Sequence, residues 1–300
     1  MVRQRRLTWM GLALLMGLAA LGTATAWAQP PRIVSTEWLA LHLNDGNQQI
    51  LDVREDIKAY WAGHVPGAQW VSPDACRWPQ EGVPGKLMPL ENLTRLLAVM
   101  GVTRDGLVVI CAEESNYRAA YLAWALDYLG HKQWSILDGG FKKWKAEQRR
   151  VTQEYPHVQP TRRLKYSRPV ASARTTTDAV RARSADTVLL DVRGKKLYTG
   201  AEGPWIRKGH IPGAISHPWT DDITEAGVWK SKDDLQAAYT AQGVTPHKLI
   251  ITSCGQGQMS AHTYVTLKYI LGHTNVANYD GGFSEWSNIP ELPVKAGEAP

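Results

Sequence analysis

The feature that most constrains this chain is an internal repeat of five short motifs, which occur twice in the same order. From Gly101 to Trp144 the first copy aligns with the second at a constant offset of 142 residues, with no insertion or deletion. Such self-similarity indicates that the chain contains the same structural unit twice. The repeated motifs are DVR (52–54 and 191–193), GHVPGA or GHIPGA (63–68 and 209–214), GVT (101–103 and 243–245), GH (130–131 and 272–273) and DGGF (138–141 and 280–283).

Each copy has the pattern of an α/β domain. Short apolar runs of strand length alternate with helical patterns, such as the aromatic face that begins at Tyr117 and ends at Gly130. This alternation predicts, for each copy, a mostly parallel sheet flanked by helices. The predicted strands are residues 50–53, 107–111 and 135–137 in the first copy, and 188–192, 249–253 and 276–279 in the second.

The chain divides into a leader, two copies and a linker. Residues 1–28 begin with three arginines, continue with an apolar run and end with the tripeptide AWA, which predicts a signal peptide cleaved after residue 28. The alternative is an uncleaved membrane anchor at the N-terminus. The expected domains are residues 29–150 and 171–300, and the proline-containing segment 151–170 has the composition of a surface linker. We therefore expect a periplasmic or secreted protein that keeps no stable membrane partner after cleavage.

The charge and the cysteines exclude several classes of function. The net charge of +6 falls to +3 when the leader and its three arginines are removed, which suits a small anionic substrate and gives no reason to expect nucleic-acid binding. The three cysteines form no Cys-x-x-Cys pair and the histidines show no metal-ligand spacing, so no metal or other cofactor is expected. Whether Cys76 and Cys111 form a disulfide stays open from the sequence alone.

Cys254 has the setting of a catalytic nucleophile rather than of a small buried core residue. It follows the predicted strand 249–253 at the carboxyl end of a parallel sheet, which is where such sheets bind ligands. Gly255 and Gly257 let the following backbone curl, so that its N–H groups and the positive end of the next helix favour a thiolate. The loop residues predicted to bind substrate are Gly255, Gln256, Gly257, Gln258, Met259 and Ser260, and Ser260 is also the predicted N-cap of the helix.

The first copy lacks this nucleophile. At the constant offset Cys254 corresponds to Ala112, while Cys111 corresponds to Ser253, one position earlier on the strand. Neighbouring strand residues point to opposite faces of a sheet, so Cys111 is expected to be a strand-end residue without a catalytic role. The loop of the first copy, residues 112–117, contains two acidic residues and no glycine, and would repel an anionic substrate.

Taken together, the motifs resemble the tandem-domain rhodanese family, the thiosulfate and 3-mercaptopyruvate sulfurtransferases, over nearly all of the chain after the leader. The resemblance rests on DVR, GHIPGA, a Cys-x-x-Gly loop and DGG with a following Trp, in the order that the family has them. It implies two tandem rhodanese-like domains, with an inactive first domain and the catalytic Cys254 in the second, at the domain interface. It also implies that Arg193 holds the anionic group of the substrate, with Arg207 and Lys208 as second choices.

The resemblance further implies a sulfurtransferase that carries sulfur as a persulfide on Cys254. We expect a small anionic sulfur donor, thiosulfate in the first place, because an exported enzyme would meet it more readily than the cytosolic metabolite mercaptopyruvate. Cyanide or a thiol is the expected acceptor. The loop departs from both subtypes, since Gln256 replaces the serine of the mercaptopyruvate enzymes and no basic residue is present. Met259 also stands where single-domain relatives often have arginine.

Three alternatives stay open from the sequence: a 3-mercaptopyruvate sulfurtransferase, a non-catalytic sulfur-carrier or binding module, and a phosphatase. A phosphatase of this fold needs a Cys-x5-Arg motif to bind phosphate, and Ser260 occupies the position of that arginine. The intact Cys254 loop argues against a non-catalytic module.

Overall fold

The structure, a computed structural model, describes residues 30–113, 117–162, 164–166 and 168–300. The predicted leader, residues 114–116 of the acidic loop and two linker residues lie outside the described residues. The first copy contains, in chain order, β1 (Ile33–Val34), α1 (Thr36–His42), β2 (Gln48–Asp52), α2 (Ile57–Ala62), β3 (Ala68–Trp70), β4 (Arg77–Gln80), β5 (Val83–Leu87), α3 (Leu90–Val99), β6 (Leu107–Cys111), α4 (Tyr117–Leu129), β7 (Trp134–Leu137) and α5 (Gly140–Ala146).

The second copy repeats this order with two strands fewer among the described residues. A 3₁₀ turn at Ala171–Ala173 precedes it, another lies at Trp219–Asp222, and a π-helical turn at Thr266–Ile270 extends its longest apolar helical stretch. Its elements are β8 (Arg174–Thr175), α6 (Thr177–Arg181), β9 (Val188–Asp191), α7 (Lys195–Thr199), β10 (Ala214–Ser216), α8 (Lys232–Ala241), β11 (Ile250–Ser253), α9 (Gln258–Val265), β12 (Val276–Tyr279) and α10 (Gly282–Asn288).

The two sheets have the same topology. Their strand orders are β1-β7-β6-β2-β3 and β8-β12-β11-β9-β10, and the pairings within both sheets are parallel. The predicted fold class, a duplicated α/β unit with parallel sheets flanked by helices, is confirmed. The six predicted strands are all present, with ends that differ by at most two residues. Their apolar runs are buried along almost their whole length, as expected where helices cover both faces of a sheet.

Helices α4 and α9 form the main contact between the two copies. The sequence predicts one buried aromatic face for α4, but residues 119–126 are all buried, since the helix is enclosed by its own sheet and by the second copy. A helix that is apolar on all sides is typical of such a position. At its centre, the indole N–H of Trp124 donates to the carbonyl of Ala173 at 2.8 Å. Helix α9, which follows the Cys254 loop, therefore packs directly against the first copy.

A second contact between the copies is nearly symmetric. The carboxylate of Asp138, in the first DGG motif, accepts a hydrogen bond from the backbone N–H of Trp229 in the second copy at 3.1 Å. Conversely, Asp280 in the second DGG motif accepts from the backbone N–H of Leu87 at 2.8 Å and from the Tyr121 hydroxyl at 2.9 Å. Burial raises the pKa of Asp280, and the Arg174 guanidinium at 3.0 Å opposes that rise.

The antiparallel β4–β5 hairpin of the first copy is longer than the corresponding turn of the second, where a single antiparallel bridge joins Ile223 and Trp229. It lies against the second copy, where Lys86 forms an ion pair with Glu285 at 2.9 Å. The described residues of 151–170 run along the first copy, with the N–H of Thr161 bound to the carbonyl of Ala98 at 2.8 Å. Among the described residues, no helix combines the length and the apolar character that a bilayer crossing requires.

Candidate active site

Cys254 lies directly after β11, at the base of a cavity of about 550 Å³. Its side chain is almost fully buried, with 3% of the residue exposed. The cavity is lined by both copies, since the β4–β5 hairpin contributes Gly82 and Pro84. The remaining lining residues belong to the second copy and are Pro204, Trp205, Cys254, Gly255, Gln256, Gln258, Met259, Ser284 and Asn288.

The shape of the cysteine loop is fixed by the N-terminus of α10. The backbone N–H of Phe283 donates to the carbonyl of Cys254 at 2.7 Å, and that of Ser284 donates to the carbonyl of Gly255 at 3.0 Å. Gly282 makes this approach possible, because it has φ +57° and a Cβ there would lie only 2.5 Å from the carbonyl oxygen of Cys254. The second glycine of the DGG motif is therefore required by the loop that carries the cysteine.

The N-terminus of α9 also faces this loop. Its N-cap is Gly257, with φ +80°, and no side chain caps the helix. The sequence-based N-cap assignment of Ser260 is wrong, because Ser260 lies inside the first turn, after a glycine that turns the chain more tightly than any other residue can. An uncapped first turn leaves N–H donors and the positive end of the helix dipole for an anion at the loop.

Beneath the loop, Ser260 connects Cys254 to a buried asparagine. The Ser260 hydroxyl donates to Asn278 Oδ1 at 2.6 Å and lies 3.5 Å from Cys254 Sγ. Asn278 Nδ2 donates to the carbonyl of Gly257 at 3.0 Å, which fixes the orientation of the amide. Sequence analysis missed Asn278, although a fully buried amide in the apolar strand β12 is a recognisable signal.

An ion pair from the first copy holds the two loop glutamines. Arg77 Nη2 donates to Gln256 Oε1 at 3.0 Å and to its carbonyl at 3.3 Å. Asp74 Oδ1 accepts from Arg77 Nη1 at 2.7 Å and from Gln258 Nε2 at 3.3 Å. Sequence analysis did not find either residue, because the offset between the copies falls from 146 to 142 between GHVPGA and GVT, and the repeat gives no unique alignment there.

Arg193 does not lie in the cavity lining, and the structure gives it another role. Its guanidinium donates to the carboxylate of Asp191, with Nε at 2.8 Å from Oδ1, and to the carbonyl of Gly209 at 2.7 Å. It also lies over the ring of Phe283, 4.2 Å from the centroid, and is 1% exposed. These contacts tie DVR, GHIPG and DGGF together, and Arg193 Nη1 is buried without a hydrogen-bond partner in the described structure. The expected contact of Arg193 with a substrate anion stays a prediction.

The same network exists in the first copy. Arg54 Nε lies 2.9 Å from Asp52 Oδ2, its Nη2 donates to the carbonyl of Gly63 at 2.8 Å, and its guanidinium lies 4.0 Å from the centroid of the Phe141 ring. The first copy has no nucleophile, so its motif arginine cannot be there for catalysis. In both copies the arginine holds the DVR, GHxPG and DGGF motifs together. We therefore infer a structural role for Arg193, beside the contact with the donor that the sequence predicts.

The two second-choice cations also lie away from the cavity lining. Arg207 donates to backbone carbonyls at the C-terminal end of α10, including that of Ser287 at 2.7 Å and that of Leu292 at 2.6 Å. A cation at that end is favourable for the helix dipole, so its role is to cap α10. Lys208 is exposed and is not a lining residue.

The other two cysteines are free thiols in separate hydrophobic clusters. Cys111 is the last residue of β6, as expected, and burial raises its pKa well above the ordinary value. Burial likewise raises the pKa of Cys76 to about 12. Both thiols therefore stay protonated and unreactive at neutral pH. Within the described ranges, no group of three or more acidic, cysteine or histidine side chains is arranged to hold a metal ion.

The comparison with known proteins agrees with the duplication. The family model for the rhodanese-like domain matches the chain twice, over residues 35–147 and 176–289. The sulfur carrier protein TtuD of Thermus thermophilus is 35% identical over 288 residues, which are 91% of this chain and 99% of that protein. The thiosulfate sulfurtransferase of Corynebacterium glutamicum is 31% identical over 291 residues, 91% of this chain and 93% of that protein.

Solved structures share the fold. YnjE superposes with a TM-score of 0.79 at 24% identity, covering 89% of this chain and 68% of that chain. Wild-type EanB superposes with a TM-score of 0.80 at 23% identity, covering 89% of this chain and 69% of that chain. At these identities the comparison supports the architecture of both copies and their arrangement, and no more.

Proposed function

This chain belongs to the rhodanese-like family, and from that premise we propose that it is a sulfurtransferase that moves the sulfane sulfur of thiosulfate to cyanide or a thiol through a persulfide on Cys254. The observation that carries the proposal is the position of Cys254 in the lining of the cavity of about 550 Å³, which neither Cys76 nor Cys111 lines. The loop carbonyls of Cys254 and Gly255 are bound by α10, and the uncapped N-terminus of α9 lies beside the loop.

The reaction has two half-reactions with Cys254 as the carrier. The thiolate attacks the outer sulfur of thiosulfate, a bond forms between Sγ and that sulfur, and the sulfur–sulfur bond of thiosulfate breaks to release sulfite. Cyanide then attacks the outer sulfur of the persulfide, the bond to Sγ breaks, and thiocyanate leaves. The backbone N–H groups at the start of α9 stabilise the negative charge that moves onto the leaving groups.

This proposal moves the anion-binding role from side chains to the backbone. Arg193 and Arg207 are committed to Asp191 and to the end of α10, and neither lines the cavity. The negative charge of thiosulfate is then met by the amides of the loop and by the α9 dipole. Mercaptopyruvate is the less favoured donor, because Gln256 is bound to Arg77 where a serine would assist that reaction.

A second function, delivery of sulfur to a protein acceptor, is favoured by one comparison, the 35% identity with a protein named as a sulfur carrier. It uses the same Cys254 persulfide and differs only in the second half-reaction. The proposed location is the periplasm or the exterior of the cell, on the strength of the leader sequence.

The decisive experiment is intact-mass analysis after treatment with thiosulfate and desalting. We expect a mass increase of one sulfur atom in the wild-type protein, removed by cyanide, and none in Cys254→Ser. The matched controls Cys76→Ser and Cys111→Ser should gain the sulfur as the wild type does. A protein that gains no sulfur from thiosulfate, or that gains it equally in Cys254→Ser, contradicts the proposal.

A further inference from the structure

The cavity at Cys254 has an unusual charge distribution for the site of an enzyme that handles anions. Among the described residues that line it, none carries a charged side chain. Its apolar surface comes from two prolines, Trp205 and Met259, and its polar surface from neutral amides and a hydroxyl, such as Asn288 and Ser284. Charged side chains can therefore affect the electrostatic potential in the cavity only from positions behind the lining residues.

The charges behind the lining are paired with one another. Arg77 and Asp74 contact the loop glutamines, but their own Nη1–Oδ1 distance is 2.7 Å, so their fields largely cancel at the cavity. Arg193 is neutralised by Asp191 at 2.5 Å. The positive potential that remains comes from backbone amides at the cysteine loop.

Trp205 forms an apolar wall of this cavity. Its indole N–H donates to Ser284 Oγ at 2.8 Å, and its ring meets that of Phe283 edge-on at 5.1 Å. The Arg193 guanidinium lies over the ring at 5.0 Å. A Cβ on Gly255 would lie 3.2 Å from the Trp205 ring, so the missing side chain lets the indole approach the cysteine loop closely.

We propose that this cavity is an acceptor site for an uncharged organic thiol whose apolar or aromatic body packs against Trp205 and Met259. The inference rests on the proposed function, since it requires a persulfide on Cys254. The cavity of about 550 Å³ is in the range of small-molecule binding sites and is much larger than cyanide needs. Aromatic rings prefer stacked or edge-on contact with another ring, which Trp205 offers.

The chemical step needs no additional reactant. The thiol loses its proton to solvent, and the resulting thiolate attacks the outer sulfur of the Cys254 persulfide. A sulfur–sulfur bond forms between acceptor and outer sulfur, the bond between outer sulfur and Sγ breaks, and Cys254 is left as a thiolate. The product is an organic persulfide, and the number of electrons and sulfur atoms is conserved.

The test measures single-turnover removal of sulfur from the preformed Cys254 persulfide, with rates expressed per thiolate concentration. The acceptors are benzyl mercaptan, 2-mercaptoethanol and the anionic 3-mercaptopropionate. We expect benzyl mercaptan to be about tenfold faster than 2-mercaptoethanol at subsaturating concentration, and 3-mercaptopropionate to be the slowest. An equal or faster rate with 3-mercaptopropionate overturns the inference.

Two variants make the test specific to the cavity. Met259→Arg places a cation at the wall and should raise the rate with 3-mercaptopropionate about tenfold relative to that with 2-mercaptoethanol. Trp205→Leu should remove the advantage of benzyl mercaptan over 2-mercaptoethanol, whereas Trp61→Ala, a change at an exposed tryptophan on α2, should keep it. The inference fails if both cavity variants leave these ratios unchanged.

The acceptor site and the proposed function fail by different outcomes of this experiment. Failure to form the Cys254 persulfide contradicts the proposed function. A persulfide that forms normally, but is discharged without preference for uncharged acceptors, contradicts only the acceptor site. The mass of each variant after loading, together with its thermal unfolding midpoint, shows that the protein compared is folded and carries the sulfur.

Discussion

The cysteine loop of the second copy and the matching residues of the first are held by the same backbone hydrogen bonds, but only the second carries a nucleophile. The carbonyl of Ala112 accepts from the N–H of Phe141 at 2.8 Å, just as the carbonyl of Cys254 accepts from that of Phe283 at 2.7 Å. Gly140 has φ +57°, as Gly282 does. The difference teaches that the DVR, GHxPG and DGGF motifs build a loop support that persists without a nucleophile.

The first copy has instead taken a supporting part in the site of the second. Its hairpin supplies Pro84 to the cavity wall, and Arg77 to the loop glutamine Gln256. The second copy has only a short turn in return, closed by an antiparallel bridge between Ile223 and Trp229, and it contacts Asp138 of the first copy. Duplication has thus been followed by a division of roles, in which one copy reacts and the other shapes the reacting loop.

The largest expected effect is that of removing the nucleophile. Cys254→Ser should lower thiosulfate:cyanide turnover by at least about a thousandfold, because a serine hydroxyl is not ionised at neutral pH and is a much poorer nucleophile. Cys111→Ser should keep most of the activity, since that thiol is buried at the end of β6. Substantial loss in Cys111→Ser with little loss in Cys254→Ser would reverse the roles of the two copies.

The Cys254→Ser protein can also show whether the backbone support of the first copy is sufficient for activity once a thiol is placed on it. Ala112→Cys in a Cys254→Ser protein puts a thiol on the first loop support, beside the Glu113 carboxylate. We expect no persulfide and no recovered turnover, because a carboxylate disfavours both the thiolate and an anionic donor. Recovery to a few per cent of wild-type turnover would show that this backbone support is enough.

The two buried arginines should have equal effects on stability. Arg54→Ala and Arg193→Ala each leave a buried carboxylate without its partner, which costs about 3–5 kcal/mol of unfolding free energy. Urea unfolding of both variants measures this cost. The KM for thiosulfate should stay within about threefold of wild type in the folded protein, since neither arginine lines the cavity. A KM that rises about tenfold or more in Arg193→Ala alone would restore its predicted contact with the donor.

The two glycines at φ +57° separate stability from activity. Alanine at either position adopts an unfavourable backbone conformation and meets two loop carbonyls, so each variant should lose about 1–3 kcal/mol of stability. Only Gly282→Ala should also lower turnover, because only its loop carries Cys254. Chemical unfolding and steady-state assays on both variants check this, and equal losses of turnover would argue that the two loops are coupled.

Much of this could be read from the sequence because the information was local or repeated. The repeat and the apolar runs predicted the strands, and the glycines around Cys254 predicted a tight loop. The structural role of Arg193 could also be predicted, since Arg54 occupies the same motif in a copy with no nucleophile. Arg77 could not be placed, because its contact with Gln256 joins residues 179 positions apart and depends on how two domains pack.

The smallest expected effect concerns this contact between the copies. Arg77→Ala should lower kcat/KM for thiosulfate about tenfold, or about 1.4 kcal/mol in transition-state stabilisation, because Gln256 loses two hydrogen bonds and the cysteine loop is less well fixed. Lys86→Ala is the matched control. It lies on the same hairpin and removes an ion pair to the second copy, but that pair reaches Glu285 and not the loop.

A double-mutant cycle separates loop positioning from simple domain docking. If Arg77 acts through Gln256, then Gln256→Ala should have a similar effect, and the double variant should lose little more than either single variant. Lys86→Ala should change stability without a comparable loss of kcat/KM. Equal losses in Arg77→Ala and Lys86→Ala, or full additivity of Arg77→Ala with Gln256→Ala, would mean that the hairpin merely joins the domains. A coupling of about 1 kcal/mol between Arg77 and Gln256 would establish that the inactive copy shapes the loop of the active one.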